Sequence, residues 1–273
     1  MKIQLLLGLA ATALLSAGTA GASTLWLNNA GGNDIVDGFD TTTGALLHQY
    51  NVSNGNGRGV VTVGNILYTT QNGDGNIYKT DKNTGASLGS INTGLRSLAT
   101  IAYDGKNFWL GDYSGSNNAY HFDLTSNMVD QTIQLSQCAG NCDGLEYFVR
   151  NNIGYLISNR YDGGYGGANI YDIYDLNGNL VTAAFITGHD AGGNTGIAFD
   201  GTNFYVDNVY SSSADVFDGT TGAYLSTLTF STATTGEDLS FDYVQVLHIP
   251  EPAAFALFGM GIAGLALARR RAR

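Results

Sequence analysis

Apolar and polar residues alternate in short runs along most of the chain, and clusters of Asp, Asn, Gly, Ser and Thr separate the runs. This is the pattern of half-buried strands joined by tight turns. The stretch Arg96 to Leu135, RSLATIAYDGKNFWLGDYSGSNNAYHFDLTSNMVDQTIQL, holds four such runs. Two flank Asp104-Gly105, a third ends at Asp123, and a fourth follows the turn Leu124 to Asn127, so the stretch reads as a four-stranded meander. The unit recurs. TLWLNN, NILYTTQ, NFWLGDY, IGYLISN and NFYVDNV superpose with Trp26, Tyr68, Trp109, Leu156 and Tyr205 in equivalent places, 41 to 49 residues apart. A strand ending in Asp follows each one, at Asp40, Asp81, Asp123, Asp175 and Asp218, then a turn. Fourth strands are predicted at Leu46 to Val52, Ser87 to Thr93, Met128 to Leu135, Leu180 to Thr187 and Tyr224 to Phe230.

Repeats of ~40 to 50 residues with four strands each predict an all-β fold, a β-propeller in which every blade buries its faces against its neighbours. The first repeat, opening at Thr24, lacks an innermost strand, and the last, Glu237 to Tyr243, is a strand without a blade. Setting that strand beside Thr24 to Asn29 gives five four-stranded blades, closed by pairing of the C-terminal and N-terminal strands, with no exposed edge at the seam.

The two ends of the chain have a different pattern. Lys2, the apolar run Ile3 to Leu15 and the small residues Ala20-Gly21-Ala22 predict a signal peptide over residues 1–22, cut before Ser23. The propeller domain is expected over 23–248. In 249–273, Pro250-Glu251-Pro252 precedes the uncharged run Ala253 to Ala268 and then Arg269, Arg270, Arg271 and Arg273. As a helix that run spans about 24 Å, a short transmembrane segment with its positive end in the cytoplasm.

Composition narrows the functional classes. The chain has 38 glycines, 2 prolines and 13% charged residues, as a turn-rich β fold requires. Five of its 12 bases lie at the extreme ends, so the body between Ser23 and Pro252 carries a formal charge of −16. Such a body repels phosphate backbones, which excludes nucleic acid as a partner and favours cations. Cys138 and Cys142 in an exported chain predict one small disulfide loop. A metal site there would need further ligands and no His lies near in sequence, while a redox pair is more usually CxxC. No HExxH or GxSxG motif is present, so no reaction is named and the chain reads more as a binding protein than as an enzyme.

The repeats also bring polar residues together. Three positions after each aromatic anchor stand Asn29, Gln71, Asp112, Asn159 and Asn208, a ring around one mouth of the expected channel. Glu146 and Asp238 fall at the entrance of the innermost strands, with Asp143 and Glu237 beside them. Carboxylates and amides converging there suit a hard cation such as Ca²⁺, whereas the same residue types also cap turns.

Two resemblances follow from these residues. GIAFDGTNFYVDN, Gly196 to Asn208, resembles the innermost and second strands of NHL-type, YVTN-type and gluconolactonase-like propellers. Gluconolactonase-like members hold a divalent metal with Glu, Asn and Asp, which implies Glu146, Asp112, Asn159 and Asp238 as ligands here. The tail from Ile249 resembles the PEP-CTERM sorting signal of Gram-negative bacteria, with Ile249 where Val is commoner. That implies an inner-membrane anchor, recognition by an exosortase-type enzyme, tail removal, and release to the cell surface or an extracellular matrix. Exopolysaccharide or surface proteins are the expected partners. Two functions are compatible: an exported binding or structural module, or a secreted metal-dependent hydrolase or lactonase in which the cation polarises a carbonyl.

Overall fold

The computed structural model describes residues 23–31, 35–52, 55–138, 143–160, 170–189 and 193–243. Cys142, the Pro250-Glu251-Pro252 motif and the expected transmembrane run lie outside them. Among the described residues no helix is long and apolar enough to cross a membrane.

The described residues are all-β, with twenty strands. In chain order they are β1 (Thr24–Asn29), β2 (Ile35–Asp40) and β3 (Leu46–Asn51), then β4 (Gly57–Val63), β5 (Ile66–Gln71), β6 (Asn76–Asp81) and β7 (Ser87–Asn92). There follow β8 (Leu98–Tyr103), β9 (Phe108–Asp112), β10 (Asn118–Asp123), β11 (Met128–Gln134), β12 (Leu145–Arg150), β13 (Ile153–Arg160), β14 (Ile170–Asp175) and β15 (Leu180–Thr187). The last are β16 (Asn194–Phe199), β17 (Asn203–Asn208), β18 (Ser213–Asp218), β19 (Tyr224–Thr229) and β20 (Gly236–Tyr243).

Strands β4–β7, β8–β11, β12–β15 and β16–β19 each form an antiparallel meander, and β20 completes the remaining one in the order β3-β2-β1-β20. Leu25 sits opposite Phe241 and Leu27 opposite Leu239 in that closure. The innermost strands β4, β8, β12, β16 and β20 neighbour one another in a closed cycle. β20 also pairs in parallel with β4 through Asp242–Thr62 and Tyr243–Val63, which joins two blades into one eight-stranded sheet.

Five apolar clusters lie at the five blade seams, so the core is a ring of interfaces. Trp26 and Val36 meet Val60 and Leu67 at one seam, and Phe148 and Tyr171 meet Phe204 and Phe217 at another. The repeated Asp at the end of the third strand locks a turn. Asp40 Oδ1 accepts the amides of Thr42 and Thr43 at 2.8 Å, and the Gly44 amide closes on the Asp40 carbonyl at 2.8 Å. Asp81 and Asp218 repeat this arrangement. Gly44 (φ +69°) and Gly222 (φ +72°) are left-handed there, and a Cβ on either would overlap the carbonyl of Thr229 or Phe185 on the neighbouring blade's outer strand. The turn glycine thus sets both the turn and the distance between blades.

Candidate functional site

The second strands end, and the innermost strands begin, at one mouth of the channel. The five residues expected to ring that mouth are there, but they cap loops. Asp112 Oδ1 accepts the hydroxyls of Ser114 (2.7 Å) and Ser116 (3.0 Å), and Oδ2 accepts Tyr120 Oη (3.1 Å). Asn159 Oδ1 accepts the amides of Asp143 and Gly144 as the chain enters β12. Asn29 donates to Asp37 and accepts the Thr235 amide, Gln71 donates to Asp74 and Tyr78, and Asn208 accepts the Tyr210 amide.

Glu146 and Asp238 are at the same level of the ring and fully buried, yet each has its own partners. Asp238 Oδ2 accepts Thr100 Oγ1 (3.0 Å) and the Val60 amide (3.2 Å). Glu146 Oε1 accepts the Tyr147 amide (2.8 Å) and Oε2 accepts the phenol of Tyr243 (2.5 Å). Burial holds Asp238 well above the usual carboxylate range and pushes Glu146 up to about 8. Each of Glu146, Asp112, Asn159 and Asp238 is thus engaged by partners of the protein's own. Among the described residues no three His, Cys, Asp or Glu side chains are grouped to hold a metal ion. Side chains at strand ends meet orphaned loop amides before they meet the axis.

The expected neighbours Asp143 and Glu237 do meet, around a residue that sequence reasoning missed. Arg58, near the start of β4, pairs with Glu237 at 2.5 Å, lies 4.9 Å from the centre of the Tyr113 ring, and is drawn electrostatically to Asp143. Burial lowers the guanidinium pKa, and the charge and hydrogen bond of Glu237 together with Tyr113 and Asp143 more than restore it. Burial raises Glu237 to about 7, against the lowering charge of Arg58, and raises the nearby Asp207 to about 6. The signal was present in the repeat, since Arg58 takes in β4 the place that Glu237 takes in β20.

The other end of the channel, where innermost strands finish, opens into a cavity of about 470 Å³. Its walls are Tyr103, Tyr147, Phe148, Phe199, Phe241 and Tyr243, and Asp104, Asp200 and Asp242 stand on its rim. Arg150 lies over the Phe148 ring at 5.4 Å. The rim acids are braced. Asp104 Oδ2 contacts His121 Nε2 (3.0 Å), and Asp242 Oδ1 accepts Trp26 Nε1 (2.8 Å) and Lys82 Nζ (2.9 Å). A mostly aromatic concavity with a few fixed polar groups is the usual form of a ligand seat.

Residues 248–271 match the PEP-CTERM protein-sorting motif. The motif implies export, a membrane anchor before processing, and processing by an exosortase. No curated protein matches the chain in sequence. Among solved structures, the chain is similar to one in the crystal structure of the nidogen/laminin complex, with a TM-score of 0.54 and 12% identity over 80% of this chain and 98% of that one. At that identity the likeness speaks for the fold alone: the body of the chain is a β-propeller that carries a sorting motif.

Proposed function

We propose that this protein is an exported propeller that works at the cell surface or in the extracellular matrix as a binding module, with the aromatic cavity as its ligand seat. The cavity carries the reading, because side chains of four innermost strands that pack in the blade cores, Tyr103, Phe148, Phe199 and Phe241 among them, also line one aromatic concavity at the end of a closed ring. The sorting motif supports the location. The similar chain was solved within a protein complex, which suits a module that holds a partner rather than one that turns over a substrate. In this reading the leader is cut before Ser23, the tail is removed by the exosortase-type enzyme, Cys138 and Cys142 are joined, and exopolysaccharide or surface proteins are bound.

Val149 lines the cavity and is 52% exposed, so a substitution there leaves the core intact. Released protein should co-sediment with extracellular matrix from the producing cells, and Val149→Arg should reduce that association while melting with the unaltered protein. Equal association of the two would remove the cavity from the function.

A further inference from the structure

Both export segments attach at the cavity. The antiparallel register that sets Leu25 against Phe241 sets Ser23 across from Tyr243, and both residues line the cavity. Paired strands lie about 5 Å apart, so the leader joins and the tail leaves the ring side by side. Nine residues, 244–252, separate Tyr243 from the apolar run that starts at Ala253 within the sorting motif. Fully extended they reach about 30 Å.

That tether is short beside the ring. A globular body of this length is about 44 Å across, and strands of six residues are about 20 Å tall. Turning the opposite mouth towards the membrane would need the tether to cross half the width and then the full height, about 42 Å. It cannot do so. The turn carboxylates Asp40, Asp81, Asp123, Asp175 and Asp218, with Asp104 and Asp200, share the cavity-bearing face and repel anionic headgroups, so the tether is what holds this face near the lipid.

We propose that the cavity-bearing face is kept within the tether's reach of the membrane surface, with the opposite mouth turned away from it, for as long as the tail is anchored, and that removal of the tail is the step that opens the cavity to large ligands. The consequence for binding rests on the cavity being the ligand seat, but the orientation does not.

The test therefore uses no ligand. Lys106→Cys places a thiol on the cavity-bearing face and Arg96→Cys places one at the opposite mouth, both at exposed positions. Each is labelled with a polymer-linked maleimide on intact full-length protein in the membrane of cells lacking the processing enzyme, then on protein released by cells that have it. The parent chain gives the background from Cys138 and Cys142. Labelling of Lys106→Cys should be several-fold slower than that of Arg96→Cys in the anchored protein and equal to it after release. A long Gly/Ser insertion after Tyr243 should equalise the rates without release. Equal rates in the anchored protein, or protection that persists after release or insertion, would overturn the proposal. Either result would leave the Val149→Arg measurement to judge binding separately.

Discussion

The phenol of Tyr243 donates to Glu146 Oε2 at 2.5 Å, tying the last residue of the closing strand to an innermost strand of another blade. The pair is buried, and burial raises Glu146 from 4.5 to about 8. Between those values the folded chain holds a proton that the unfolded chain has lost, so this group's contribution to stability falls as pH rises through the window. Glu237 (to about 7) and Asp207 (to about 6) are shifted the same way.

The turn carboxylates Asp40, Asp81, Asp123 and Asp218 have the opposite sign. Backbone amides and side-chain hydroxyls of their turns hold their pKa values down, so what they contribute is lost as pH falls through the folded values. Stability should therefore peak near about pH 5 and decline towards pH ~9. Glu146→Gln should match the unaltered protein near the peak and exceed it above about pH 8, by on the order of a few kcal/mol. Urea unfolding at each pH checks this, and stability that rises from the peak into the alkaline range would refute it.

Glycines test the blade spacing. Gly44→Ala and Gly222→Ala must adopt a left-handed φ and also push a neighbouring carbonyl aside, whereas Gly105→Ala, at φ +98°, meets nothing within 4 Å. The first two should cost roughly 3 kcal/mol or more, and Gly105→Ala about 1–2 kcal/mol. Equal losses in denaturant titrations would mean that only backbone strain matters at these turns.

How much of this was legible in the sequence depended on period. Strand alternation and a repeated Asp are local, and the third strands end at Asp40, Asp81, Asp123, Asp175 and Asp218 as expected. The closure of Thr24–Asn29 by the last strand followed from counting strands, and β20 supplies it. The direction of a side chain at a strand end is not local. Asp112 has the same type and spacing whether it points at the axis or at Ser114, and the loop amides and hydroxyls decide. The cavity was missed because its walls, Tyr103, Phe199 and Tyr243, are the last residues of innermost strands, where an aromatic reads as ordinary core.

Asp112 gives a direct test of that difference. Its carboxylate accepts from Ser114, Ser116 and Tyr120, so Asp112→Ala should cost about 1–3 kcal/mol by leaving these groups unpaired. The loss should be the same with Ca²⁺ or with a chelator present. A loss that appears only with Ca²⁺, read from melting temperature, would favour the cation reading of the mouth.

His121 is held between two carboxylates, with Nδ1 2.5 Å from Asp130 and Nε2 3.0 Å from Asp104. Burial lowers its pKa, and the two partners more than reverse that, so the folded value lies above 6.5. Its contribution is fully present below that value and is lost as pH rises through the folded one. Asp130→Asn should move the imidazole titration to lower pH in NMR and narrow the stability difference between acid and neutral conditions. An unchanged titration would show that the contact is not formed in solution.

Closure of the ring puts β20 between β1 and β4, where it supplies Leu239 and Phe241 to the core and hydrogen bonds to both neighbours. A body ending at Thr235 would leave two innermost edges unpaired and the seam of the first and last blades open, so it should lose its single cooperative transition and aggregate. The outer tie between Asp242 of β20 and Lys82, in the turn after β6, at 2.9 Å, joins β20 to the blade of β4 but is partly exposed. Lys82→Ala should therefore change stability by no more than about 1 kcal/mol. If the truncated body melted cooperatively while Lys82→Ala unfolded it, the ring would be held by its surface contacts and not by the pairing of its ends.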